Sequence, residues 1–165
     1  RDSKVADSSP ARGVVAAEPA GEENVVGALP GDSELRLPAG KEADVIEVMT
    51  SLADELGAEA VVLMRGPHVL TSVGQIGDGA MKHLADIMAE GFRASDRVAS
   101  LLGCSQGCLE HIVDIGDFLI HALAIDGDLV ISTAMPSRVP LGSARLWAKR
   151  SAAQMEDIVR EWEEL

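Results

Sequence analysis

Leu109-Glu-His-Ile-Val-Asp-Ile115, then Gly116-Asp117, then Phe118-Leu-Ile-His-Ala-Leu-Ala-Ile125, then Asp126-Gly127, then Asp128-Leu-Val-Ile-Ser-Thr-Ala-Met135: this stretch decides the fold. Three apolar runs are separated by two minimal turns. Gly116-Asp117 places glycine first, as a type II′ turn needs, and Asp126-Gly127 is a type I′ signal. Turns of this hand match the twist of adjoining antiparallel strands. Leu109–Ile115, Phe118–Ile125 and Asp128–Met135 therefore read as a meander. The turns also set an expected register. Ile115 opposite Phe118 puts Ile112 opposite His121 and Asp114 opposite Leu119. Ile125 opposite Asp128 puts His121 opposite Ser132, so that His121 and Ser132 share a face with Asp114 diagonal to His121.

Working outward, Lys41–Leu56 carries Val45, Val48, Met49, Leu52 and Leu56 at helical spacing and is stopped by Gly57. Ala58–Met64 is an apolar, β-branched run, and Arg65-Gly66-Pro67 turns the chain into a second strand, His68–Val73. A loop with Gly74, Gly77 and Gly79 leads into a long helix, about Asp78–Leu102, closed by Gly103. After the meander, a final helix over about Leu141–Glu163 places Ala144, Ala148, Met155, Ile158, Val159 and Trp162 on one face. The order is αββαβββα. Ala60–Met64, Phe118–Ile125 and Leu129–Met135 are apolar on both faces, so both sides of the sheet must be covered. The expected fold class is α/β (α+β): a three-layer sandwich whose five-stranded, mostly antiparallel sheet has helices on both faces.

The middle helix has more than one apolar side. Met81, Leu84, Ala85, Met88, Phe92, Ser95, Ala99 and Leu102 form the stripe expected against the sheet. Ile87, Ala94 and Leu101, spaced by sevens, form a second stripe well round the helix, with Val98 bridging the two. One stripe suffices for a helix on a monomer; a second at seven-residue spacing suits a partner helix. The remaining face carries Lys82, Asp86, Glu90, Arg93 and Arg97.

The 165 residues suffice for one core, and the net charge of −13 excludes the basic footprint of a nucleic-acid surface. No apolar run is long enough to span a membrane, and no signal-peptide core is visible at the N-terminus. Two cysteines are too few for a disulfide framework. Together these features lead to the expectation of a cytoplasmic protein. Residues 1–40 hold four of the seven prolines and are rich in Ala, Gly, Ser and Glu, which predicts a disordered linker or tail ahead of a folded domain over 41–165.

Catalytic and cofactor chemistry finds little support. Ser132, His121 and Asp114 are the right types for a nucleophilic triad. A mid-strand serine, however, has no sharp elbow and no adjacent amides for an oxyanion hole, so a semi-buried His–Ser hydrogen bond is the better account. Cys104, Cys108 and His111 lack a fourth zinc ligand, and His111 and His121 fall on opposite sheet faces; the cysteines read as small apolar fillers. Gly74-Gln-Ile-Gly77-Asp-Gly79 has neither a dinucleotide fingerprint nor a P-loop lysine, and Asp78 reads as an N-cap. The sequence thus calls for no cofactor, no metal and no catalytic residue, and reads as a binding module.

From Lys41 onward the chain resembles the Roadblock/dynein-light-chain domain family, and within it the bacterial MglB-like branch of Ras-like GTPase regulators. Gly57-Ala-Glu-Ala-Val-Val-Leu-Met64, Arg93-Ala-Ser-Asp-Arg-Val-Ala-Ser-Leu-Leu-Gly103, Val139-Pro-Leu-Gly142 and Arg145-Leu-Trp-Ala-Lys-Arg150 carry the resemblance. It implies a homodimer with third strands paired edge to edge, here Leu109–Ile115 with Glu110, Ile112 and Asp114, and middle helices side by side through Ile87, Ala94 and Leu101. It implies a small Ras-like GTPase seated over the paired helices, against Lys82, Asp86, Glu90, Arg93 and Arg97, with this protein as a non-catalytic, GTPase-activating partner. No arginine finger carries over. The alternative from another class is a ligand-sensing module similar in layer order to GAF or PAS domains, which needs a cavity between sheet and helix. A third is a scaffold tethered by residues 1–40.

Overall fold

The computed structural model describes residues 36, 37 and 39–163. Eight elements follow one another: α1 (Glu42–Leu56), β1 (Ala60–Arg65), β2 (His68–Gly74), α2 (Asp78–Leu101), β3 (Glu110–Asp114), β4 (Phe118–Asp126), β5 (Leu129–Pro136) and α3 (Leu141–Glu163). The expected αββαβββα order and three-layer sandwich are what the chain forms. The expected tail falls almost wholly on residues 1–35 and Pro38, outside the described residues.

The five strands form one sheet in the order β2-β1-β5-β4-β3, and every neighbouring pair is antiparallel. α1 and α3 cover one face. There Val61, Leu63, Leu119, Leu123, Leu129, Ile131 and Met135 pack against Val45, Met49, Leu52, Ala144, Ala148, Met155 and Val159. Among the described residues α2 alone covers the other face, where Ala60, Val62, Met64, Ala122 and Val130 meet Met81, Ala85, Met88, Ala89 and Phe92. Strand alternation sends successive residues of β1 to opposite cores, which explains why Ala60–Met64 is an unbroken apolar run. Fully burying a side chain such as Met49, Leu52 or Met155 contributes about 1.5–3 kcal/mol each.

Local chemistry fixes the ends. Gly57 takes a left-handed conformation (φ 58°) after α1, and the Ala58 N–H donates to the Ala53 carbonyl at 2.9 Å, closing the helix. Gly74 is held more tightly still. Its φ is 135°, and a Cβ there would lie 2.2 Å from the Glu59 carbonyl oxygen. Only glycine allows β2 to leave the sheet at this point.

Several expectations are corrected. The β3–β4 pairing follows the turns, with Ile112 opposite His121 and Asp114 opposite Leu119. The β4–β5 pairing does not. A bulge between Ala124 and Asp126 brings Asp126 opposite Leu129, so His121 faces Thr133 and Ser132 faces Ala122. The bulge keeps Ile125 and Leu129 both on the face covered by α1 and α3. His121 and Ser132 consequently point to opposite sides of the sheet, and the expected hydrogen bond between them does not form. Asp78 is not the N-cap of α2; Gly77 is, and Asp78 lies in the first turn. Leu102 is exposed rather than sheet-facing, and Cys104 is exposed rather than a core filler. The side chain of Trp162 lies outside the described residues.

Candidate functional site

α2 crosses the sheet from one edge to the other. Its start lies beside β2, where Met81 and Lys82 border Val69 and Ser72. Its second half lies over β3, where the Phe92 ring packs 5.9 Å from the His111 imidazole. Gly91 allows this approach: a Cβ there would lie 2.7 Å from His111 Nε2. The connection that follows is tied back to the helix, because Asp96 Oδ1 accepts the Cys108 backbone N–H. Cys108 Sγ in turn donates to the Glu110 carbonyl at 3.2 Å. Cys104, Cys108 and His111 thus have separate surroundings and do not converge.

Because one face of α2 is spent on the sheet, the others are free. Ile87 is 61% exposed, Val98 54% and Leu101 86%, while Ala94 is half-buried. These four form one apolar row on the outside of the helix. Roughly 90° round the helix, spacings of four, four, three and four place Lys82, Asp86, Glu90, Arg93 and Arg97 on one exposed row. Lys82, Arg93 and Arg97 form no ion pair among the described residues. The two rows therefore run side by side along α2.

β3 ends the sheet order, so its outer backbone groups have no partner strand among the described residues. Such an edge is a template for another strand. Ile112 packs into the core under α1 and α3. Asp114 Oδ1 accepts the Gly116 N–H at 3.0 Å and shapes the β3–β4 turn. Glu110 reaches across to α3 and accepts from Arg145 Nε at 2.7 Å. The site residues expected on β3 thus lie along its edge with side chains engaged within the subunit, leaving its backbone as the free feature.

Glu110 also anchors a polar cluster that sequence reading missed. Its Oε1 lies 3.3 Å from Nε2 of His121, which is almost wholly buried and has no aligned hydrogen-bond partner among the described residues. Burial holds the His121 pKa below its ordinary value, against the pull of the Glu110 charge. Burial pushes the Glu110 carboxyl upward, but the Arg145 hydrogen bond and the neighbouring charges outweigh it and hold its pKa low. The one sequence signal for this cluster is a histidine within an apolar strand opposite a strand that begins with glutamate.

A cavity of about 180 Å³ lies between α2 and the sheet, lined by Met64, Ala89, Phe92 and Val130 with Arg93, Asp96 and Asp128. A cleft of about 310 Å³ lies between the start of α2 and β2. Drug-sized ligands occupy about 300–1,000 Å³, largely enclosed. The first space is smaller than that range, the second is at its lower end, and the buried polar residues His121 and Ser132 line neither. No described helix is long and apolar enough to cross a membrane.

No protein-family model and no curated protein matches the sequence. Solved structures do match the fold. The gliding protein MglB from Thermus thermophilus superposes with a TM-score of 0.68 at 21% identity, covering 76% of this chain and 95% of that one. An MglB with a tetrameric arrangement gives 0.69 at 22% identity, covering 76% and 94%. A Roadblock/LC7 domain from Streptomyces avermitilis gives 0.64 at 11% identity, covering 72% and 97%. The chain has the Roadblock-type fold of these structures.

Proposed function

We propose that this protein is a homodimeric, non-catalytic regulator that binds a small Ras-like GTPase and modulates its nucleotide cycle. One observation carries the reading: on a fold shared with MglB structures, α2 presents an exposed apolar row beside a charged row, next to the open edge of β3. The apolar row of Ile87, Ala94, Val98 and Leu101 is the surface for a second copy. Pairing of two α2 helices there and of two β3 edges, each with Glu110, Ile112 and Asp114, would join both free features in one isologous contact. The charged rows of the two copies would then flank that seam. Lys82, Asp86, Glu90, Arg93 and Arg97 would meet the GTPase, the arginines serving its anionic surface.

Self-association is supported by the tetrameric arrangement named for one MglB of the same fold. The regulatory role is supported by the resemblance to the MglB-like branch, whose members act as GTPase-activating partners that remodel the GTPase's own switch residues. The test is binding of the purified chain to the Ras-like GTPase that co-purifies with it, loaded with a GTP analogue or with GDP. Binding should depend on the nucleotide; equal or absent binding to both forms overturns the proposal.

A further inference from the structure

α3 carries a charge pattern that neither core packing nor the α2 platform uses. The 27 residues from Leu129 to Met155 contain no acid, in a chain of net charge −13, yet include Arg138, Arg145, Lys149 and Arg150. Arg145 is neutralised by Glu110. Arg138, Lys149 and Arg150 are exposed and form no ion pair among the described residues. The Arg150 guanidinium rests 5.1 Å from the Trp147 ring centroid. Between Lys149 and Arg150 around the helix stands Leu146, 50% exposed. The acids of α3, Glu156, Asp157, Glu161 and Glu163, lie in its C-terminal half. This arrangement opposes the helix dipole, which favours acids at the start and bases at the end. It gives no advantage to the helix itself and suits an anionic occupant.

The complementary segment is in the same chain. Gly13–Leu35 contains five acids and no base, and within it Glu18-Pro-Ala-Gly-Glu-Glu-Asn-Val-Val26 sets three carboxylates beside two valines. We propose that Glu18–Val26 docks on the N-terminal half of α3 of its own chain, its carboxylates on Arg138, Lys149 and Arg150 and its valines over Leu146.

Reach permits it. Lys41 Nζ is 2.7 Å from Glu161 Oε2, so the start of the folded domain lies at the far end of α3. From Glu161 to Lys149 is twelve residues of helix, about 18 Å. From Lys41 back to Glu23 is eighteen residues, for which a flexible chain spans about 23 Å root-mean-square. Tether length and span match, the condition for the highest effective concentration, in the millimolar range.

Affinity selects the occupant. Exposed ion pairs are individually weak, so three cations and one leucine hold a free peptide no tighter than about millimolar. A tethered segment at millimolar effective concentration occupies such a site for a substantial fraction of the time; a dilute partner does not. An anionic membrane is repelled by the rest of a chain carrying −13, whereas a short segment feels the local field.

Zero-length carbodiimide coupling of the full chain tests this, using an equal mixture of unlabelled and ¹⁵N-labelled protein. The expected product links Lys149 to Glu18, Glu22 or Glu23 within one isotopic copy. It should fall about fivefold or more in about 0.5 M salt, where the Debye length is roughly 4 Å. It should fall equally in E22K/E23K, and coupling between the two segments should return when E22K/E23K is combined with K149E/R150E. Links to Lys41 report simple reach. Coupling at Lys41 without Lys149, coupling only between isotopically different copies, or a Lys149 link indifferent to salt each overturns the proposal.

Discussion

His121 Nε2 lies 3.3 Å from Glu110 Oε1, a contact that only partly offsets the burial by which the folded imidazole resists protonation. Burial is the chief cause that holds the His121 pKa below its ordinary 6.5, aided by the nearby charges of Arg145 and Lys149. Unfolded chains take up that proton as pH falls through about 6.5, and the folded chain resists it. The unfolded state then binds more protons, so the contribution is intact above pH 6.5 and declines below it. Glu110 acts in the same direction at lower pH. Its folded pKa is below 4.5, so its stabilisation is present above that value and is lost as pH falls through the folded one. Melting temperature should therefore drop between pH 7.5 and pH 5.5. In His121→Leu the slope over this window should flatten, as followed by circular dichroism.

Leu101 protrudes into water from the last turn of α2, and truncating or charging it costs the lone subunit little. Leu101→Glu should shift stability by less than about 0.5 kcal/mol per subunit. It should weaken self-association by about tenfold or more, because a charge would be buried without a partner at the helix seam. Light scattering at micromolar concentration would then return the mass of a single subunit for the variant and twice that mass for the parent. A parent with the mass of a lone chain counts against the dimer.

Arg93 and Arg97 should matter to the GTPase and not to folding. Both are exposed and unpaired among the described residues. Arg93→Glu with Arg97→Glu should reduce affinity for the GTPase by about tenfold, mainly through a slower association rate that becomes insensitive to salt. The melting temperature should be unchanged. Surface plasmon resonance across a salt series reads both effects.

Gly74→Ala should be far more damaging than its surface position suggests. Its positive φ and the Glu59 carbonyl 2.2 Å from the added Cβ require the backbone to move. The expected loss is about 2 kcal/mol or more, seen as a lower urea midpoint with an unchanged slope.

Much of this architecture is legible because its signals are local. Gly116 occupies a positive-φ position, 91°, as the Gly116-Asp117 turn demands, and Gly57 ends α1 as its spacing implies; Gly127, at 53°, opens a Gly127-Asp128 turn one residue later than the expected Asp126-Gly127. The β3–β4 register follows directly from its turn. The β4–β5 register does not, because the bulge at Ala124/Asp126 answers to packing on the far side: Ile125 and Leu129 both gain cover from α1 and α3. No two-residue turn motif encodes that preference. The rows on α2 are legible because helical periodicity alone determines them, and Ile87 and Leu101 stand exposed where the second stripe was expected. The Glu110–Arg145–His121 cluster is not legible, since it joins three elements whose relative placement depends on the whole sheet. The same slip removed Ser132 from His121 and with it the geometric basis of a triad.

Among the described residues α2 stands alone on one side of the sheet, with α1 and α3 on the reverse. A body seated on α2 and a segment laid along α3 are separated by the full thickness of the strand layer, so neither sterically displaces the other. The two proposed contacts are therefore compatible with each other, and any influence of one on the other would have to pass through β1, β4 and β5 rather than through competition for a shared surface.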